Sequence, residues 1–163
     1  MRAVLPTLIL GLLSSGCSGQ SARWDAIDWS VERATAGAYN GTLHFEAKAK
    51  AGPVVLGSDS CDRFAWLWLS AEDTATGSLW CDFGGDIGVL TVALDGEAVS
   101  LPLIGGTLNA DLNGEPFQTD WSGGFTAEDA FFGETSGTTK ANGVTVVFDG
   151  WFEVSRVANA ATP

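Results

Sequence analysis

The 163-residue chain predicts an all-β fold, either a β-sandwich or an up-and-down β-barrel of about eight to ten antiparallel strands joined as meander hairpins. Three observations predict it. Apolar residues recur with period two in segment after segment, helical periodicity is nearly absent, and Gly-containing dipeptides punctuate the strand-like runs. This patterning leaves sandwich and barrel equally open, because both bury one face of each strand.

Taken in order, Ile27, Trp29 and Val31 alternate with Asp28, Ser30 and Glu32 as a first short strand. Tyr39, Leu43, Phe45 and Ala47 then alternate with Asn40, Thr42, His44, Glu46, Lys48 and Lys50, the pattern of a half-solvated antiparallel strand. The run from Arg63 to Ser70 is apolar on both faces, Phe64, Trp66 and Trp68 opposing Ala65, Leu67 and Leu69, and is expected to be a central or doubly covered strand. Between residues 88 and 122, Asp95-Gly96, Gly105-Gly106 and Asn113-Gly114 are each expected at a two-residue turn, because such turns need positive φ. Four strands would then run up and down, with Pro102 and Pro116 at edge or non-bonding positions. Asn142-Gly143 launches a last segment, Val144 to Val157, read as one bulged strand or as a hairpin about Asp149-Gly150. Thr126 to Phe132 is the one stretch expected to form a helical turn.

Composition narrows the functional classes. The 147 residues from Cys17 onward suit a single β domain, placed at 24–163. Arg2 is the only charged residue before Cys17, so this part holds seven basic residues against 20 acidic ones, a net charge of −13. Such a surface repels phosphate backbones and sets nucleic acid binding aside. Seven Trp and nine Phe supply enough apolar surface for folding despite the acidity.

The N-terminus carries Arg2, an apolar run from Val4 to Leu13, and the small residues Ser14-Ser15-Gly16 ahead of Cys17. A spanning helix needs about 20 apolar residues, so this run reads as a secretory signal over residues 1–16. The leader resembles the type II signal peptides of bacterial lipoproteins. That resemblance implies that cleavage leaves Cys17 as the lipidated first residue, that 17–23 form the lipidated cysteine and tether, and that a membrane is the partner through the anchor. The family usually has Leu three residues before the cysteine, where this chain has Ser14, so cleavage by the general signal peptidase stays open as an alternative. Ser18 rather than Asp after the cysteine implies, by the same resemblance, the outer membrane of a bacterial envelope. With Cys17 assigned to lipid, the remaining pair Cys61 and Cys81 is expected to form a disulfide in an oxidising compartment. The bridge lies either across one hairpin, around Ala71 to Gly77, or between neighbouring loops.

Chemistry is sparsely signalled. His44 is the single histidine and lies on the polar side of its strand, with neither a nucleophile elbow nor a second His to make a catalytic or zinc motif. Asn109, Asp111, Asn113 and Asp120 echo a calcium loop, but Asn-Gly is explained by turn geometry alone, so no metal and no cofactor is expected. Most Trp residues are expected in the core, and Trp24 and Trp121 are singled out as candidate stacking platforms. The resulting expectation is a membrane-anchored, non-catalytic binding or structural module with no catalytic residue, whose partner is a glycan, a hydrophobic ligand or an envelope protein. An exported carboxylate-dependent hydrolase and a carrier of a small hydrophobic ligand are the alternatives. The former needs two acids in a cleft and the latter an apolar cavity.

Overall fold

Eight antiparallel strands close into an up-and-down barrel in this computed structural model, which describes residues 20–157 apart from Asp73, Gly85, Asp86 and Asn142. The order is α1 (Gln20–Asp25), β1 (Gly37–Ala51), β2 (Val54–Leu69), β3 (Thr74–Asp82), β4 (Val89–Ser100), β5 (Leu103–Leu112), β6 (Glu115–Ala127), β7 (Ala130–Ala141) and β8 (Val144–Arg156). Each strand pairs with its neighbours in sequence, and β1 closes on β8 from Tyr39↔Arg156 to Lys50↔Thr145. The barrel branch of the expected fold is therefore the observed one. The leader, Cys17 and the first two residues of the tether lie outside the described residues, whereas the rest of the segment read as tether, from Gln20 on, is the first part of α1.

Alternation directs the odd positions of β1 and the even positions of β8 inward. Tyr39, Leu43, Phe45, Phe148, Phe152 and Val154 are all buried there, beside Leu67, Leu94, Leu108, Phe125 and Phe131 from the other strands. These side chains are 4% exposed or less, so water-sized space beside them is almost nil and the interior is filled. Charged groups occupy the outer wall: Asp62, Asp95, Asp120, Asp149 and Glu153 are exposed. A wall charged in this way is not the apolar band of a lipid-spanning barrel.

Two of the expected turns are strand interior. Asp95-Gly96 and Gly105-Gly106 lie in the middle of β4 and β5, paired as Asp95↔Thr107, Gly96↔Gly106 and Glu97↔Gly105. The physical reason is room rather than positive φ. A Cβ on Gly96 would meet Trp121 Cζ2 at 2.4 Å, and one on Gly106 would meet the Asp95 carbonyl oxygen at 2.3 Å. The actual β4–β5 turn holds a cis Leu101–Pro102 bond, whereas Asn113 (φ 56°) and Gly114 (φ 87°) do form the β5–β6 turn. Asp149-Gly150 likewise lies within one continuous β8, where Gly150 makes room for the Phe45 ring. Thr126 to Phe132 is a hairpin corner between β6 and β7 and not a helical turn, and the one described helix is α1.

The segment from Ala26 to Ala36 is not the short strand its alternation suggested. It folds back over one barrel end, donating from Asp28 N to the Phe125 carbonyl (2.9 Å) and from Thr35 N to the Glu128 carbonyl (3.1 Å). Ile27 and Val31 are buried there while Trp29 stays 69% exposed. Phe83 and Ile87, in the β3–β4 connection, are buried at the opposite end.

The ladder is shortest between β2 and β3, where it runs only from Trp66↔Ser78 to Leu69↔Ala75. Beyond it β2 pairs on its β1 side alone, and Val54, Val55 and Leu56 are exposed along that free edge. Cys61 and Cys81, both buried, form a disulfide across this seam with their Cα atoms 5.8 Å apart. The bridge thus joins adjacent strands at a level where backbone pairing has stopped.

Two outcomes follow from this arrangement. Replacing both cysteines by serine frees a loop set by a sequence separation of 20 and is expected to lower stability by about 3 kcal/mol in urea unfolding. Tyr39, the single tyrosine, is fully buried, and its hydroxyl donates to the Thr35 carbonyl oxygen at 2.5 Å. Burial pushes its phenol up to about 12, with Asp129 adding to the shift and Arg156 opposing it. The raised value means that its contribution to stability is complete below the ordinary phenol value of 10.0 and is lost as pH rises through about 12. Spectrophotometric titration of the phenolate band should show that single late transition.

Candidate ligand-binding wall

A filled barrel leaves its outer surface as the place to bind something. The outward positions of β2 and β3 carry Phe64 (64% exposed), Trp66 (49%) and Trp80 (49%). Trp66 faces Ser78 in register, which puts Trp80 on the diagonal from it, within reach of an aromatic side chain. The Arg63 guanidinium carbon lies 5.3 Å from the Trp80 ring centroid, a cation–π distance. Large exposed apolar groups gathered on one face mark interaction sites far more often than the same groups scattered singly.

Across β3 to β6 the outward side chains continue from these rings in two rows. Trp80, Thr91, Asp111 and Pro116 form one, and Ser78, Ala93, Asn109 and Gln118 the other. With strands about 4.8 Å apart, each row spans roughly 14 Å. Together they line an open groove of about 810 Å³, bounded by Trp80 and Pro116 and floored by small residues such as Ala93. Gln118 Nε2 donates to Asn109 Oδ1 (3.1 Å), while Asp111 Oδ1 accepts from the Gly114 amide (2.6 Å).

The residues singled out from the sequence fall elsewhere. Trp121 is not a platform: it is 2% exposed inside the barrel, its Nε1 donates to the Asp95 carbonyl (3.1 Å), and its ring packs 5.6 Å from Phe152. Trp24 is half-buried and fastens α1 to the wall, with Nε1 donating to Glu134 Oε2 (2.9 Å) and its ring edge-on to Phe132 at 5.3 Å. Arg23 reinforces the clasp through Glu153 (2.7 Å) and lies 3.8 Å from the Trp151 ring centroid.

The calcium-like set is dispersed. Asn113 Nδ2 donates to the Ile87 carbonyl and its Oδ1 accepts from the Val89 amide, and Asp111 is engaged by its own turn. Asp120 pairs with Thr107, four residues along the strand from the partner of Pro116. At about 3.4 Å per residue that offset exceeds any coordination distance. Among the described residues no group of three or more His, Cys, Asp or Glu is placed to hold a metal ion.

His44 lies on the open wall between two carboxylates, its Nδ1 2.7 Å from Asp62 Oδ1 and its Nε2 3.6 Å from Glu46 Oε1, with its ring stacked 5.6 Å from Trp151. Glu46 and Asp149 are paired in register on β1 and β8, and burial, assisted by Glu46, raises the Asp149 carboxyl above its ordinary value against the opposing pull of Lys48 and His44. Glu46, Asp62 and Asp149 are all exposed on the outer strand face around His44.

Fold and wall together define an eight-stranded up-and-down barrel with a filled interior and an external aromatic groove. No family model matches the chain, and no curated protein matches it. Among solved structures, a mutant of the vaccine antigen Transferrin Binding Protein B from Haemophilus parasuis is 14% identical with a TM-score of 0.46, covering 82% of this chain. The chain spans 28% of that protein's length. The ywiB protein from Bacillus subtilis is 8% identical with a TM-score of 0.35, covering 86% of this chain and 99% of its own. The closed ladder described above rests on its own register, independently of these likenesses.

The assignment of rings to core and wall has a thermodynamic signature. Trp66→Ala and Trp80→Ala are expected to stay within about 0.5 kcal/mol of the parent protein in urea unfolding. Trp121→Ala should cost about 3–5 kcal/mol, because its cavity sits among residues that cannot collapse into it.

Proposed function

We propose that this chain is an exported, lipid-anchored, non-catalytic binding module of a bacterial cell envelope, and that its ligand docks on the outer wall of β2 to β6. The observation that carries the binding role is the pairing of a filled interior with exposed rings outside: Phe64, Trp66 and Trp80 lie in the open while Trp121, Phe125, Phe131, Phe148 and Phe152 pack the inside. A carrier of a small hydrophobic ligand would need the interior that these side chains occupy.

The anchor rests on the leader, whose small residues Ser15-Gly16 precede Cys17, and on cysteine parity. The disulfide between Cys61 and Cys81 supports export, since such bonds persist in oxidising compartments, and it leaves Cys17 over for the lipid. One acyl chain holds a protein only marginally and two or more hold it stably, so a multiply acylated Cys17 would retain a domain of this charge at the surface. Ser18 after the cysteine favours the outer membrane by the same resemblance.

Metabolic labelling with a clickable palmitate tests the anchor. The parent protein should incorporate label and sediment with membranes, and Cys17→Ala should lose both. Unchanged labelling in Cys17→Ala, or an unlabelled parent protein with its leader retained, would reject it.

A further inference from the structure

We infer that the Trp66–Trp80 wall is a binding site for a neutral polysaccharide, laid across β2 to β6 in the open groove. This rests on the reading of that wall as the ligand-binding face.

The chemistry of the groove is divided in the way a sugar is divided. A pyranose ring presents an apolar face of C–H groups and a rim of hydroxyls. Trp80 at the end of the groove, with Phe64 and Trp66 beside it on β2, supplies exposed aromatic surface for the first. For the second, Asn109 and Gln118 bond to each other through one donor and one acceptor, which leaves Asn109 Nδ2 to donate and Gln118 Oε1 to accept. A donor and an acceptor side by side match two neighbouring hydroxyls. Ser78 and Thr91 add hydroxyls along the same two rows.

Charge argues for a neutral ligand. The chain carries a formal net charge of −12, yet the groove holds one acid, Asp111, whose Oδ1 already accepts from a backbone amide. Among the described residues, Arg63 is the cation placed over these rings, 5.3 Å from the Trp80 centroid. Single-stranded nucleic acid also stacks on aromatic platforms, but it requires a basic groove that this wall lacks.

Shape argues for a chain rather than a monosaccharide. Pockets for small ligands enclose most of their occupant, whereas this groove lies open along strands whose backbones are laddered from β3 through β6. Side chains on such a ladder are held in place before binding, which lowers the ordering cost and suits an extended, repetitive ligand.

Affinity electrophoresis of the purified full chain through gels containing hydroxyethylcellulose, xylan, galactomannan or, as an acidic comparison, polygalacturonate tests the inference. At least one neutral polymer should retard the protein, with little dependence on salt. Trp66→Ala or Trp80→Ala should weaken that retardation by about tenfold or more, and Asn109→Ala by several-fold. Because both Trp substitutions lie on the surface, a parallel unfolding curve shows that they remain folded. No retardation by any neutral polymer, or retardation that survives both Trp substitutions, overturns the assignment. Hydroxyl-radical footprinting of Trp66 and Trp80 on intact cells separates this failure from that of the binding wall itself. Protection in cells without retardation by any polysaccharide overturns the polysaccharide and leaves the wall as a site for an envelope protein, while neither protection nor retardation overturns both.

Discussion

The barrel depends on one steric constraint, the fit of large rings against bare backbone inside it. Trp121 enters the interior from β6, and its indole lies where side chains on Gly96 and Gly133 would otherwise stand. Phe152 fills the space above Gly133, and Phe45 that beside Gly150. A barrel of eight strands has an interior just wide enough for side chains to fill, and Trp121, Phe152, Phe148 and Phe45 find room there over the bare backbone of Gly96, Gly133, Gly137 and Gly150. Closure, filling and the absence of a ligand chamber are consequences of the same packing.

Once the inside is occupied, the outside must carry both solubility and recognition. Most of the wall does the first with carboxylates, as around His44, Glu46, Asp62 and Asp149, where burial and mutual repulsion raise the Asp149 carboxyl. The sector from Phe64 to Gln118 departs from this rule, with exposed rings on β2 and β3 leading into a nearly uncharged groove. Exposed indoles on an otherwise acidic wall add nothing to solubility, and this contrast is what singles the sector out.

The seam between β2 and β3 borders that sector. Backbone pairing ends at Trp66↔Ser78, and the Cys61–Cys81 bridge takes over the task of holding the strands together. The disulfide therefore supports the edge on which Trp66 and Trp80 are displayed. On the opposite side Arg23 and Trp24 clasp α1 to β7 and β8 through Glu134, Glu153 and Trp151, so the start of the folded domain is fixed to the wall away from the groove.

Much of the fold was legible because alternation is a local property. Tyr39 to Lys50 reads correctly residue by residue, since a strand with one wet face writes its orientation into the order of polar and apolar side chains. The sequence by itself determined the all-β class, the Asn113-Gly114 turn and the pairing of Cys61 with Cys81. Only the tertiary structure decided barrel over sandwich, because closure depends on β1 meeting β8, far apart in the chain. It also decided that Asp95-Gly96 lies within a strand, since a glycine that clears space for a distant indole looks the same in sequence as one that makes a turn. The site was illegible for a related reason. Trp66 and Trp121 are the same residue type in similar surroundings, and whether a ring faces core or solvent follows from register and from what the opposite strands leave room for. The one local signal was Phe64 to Leu69, apolar on both faces, which suggested cover on both sides and in the folded barrel has cover on one.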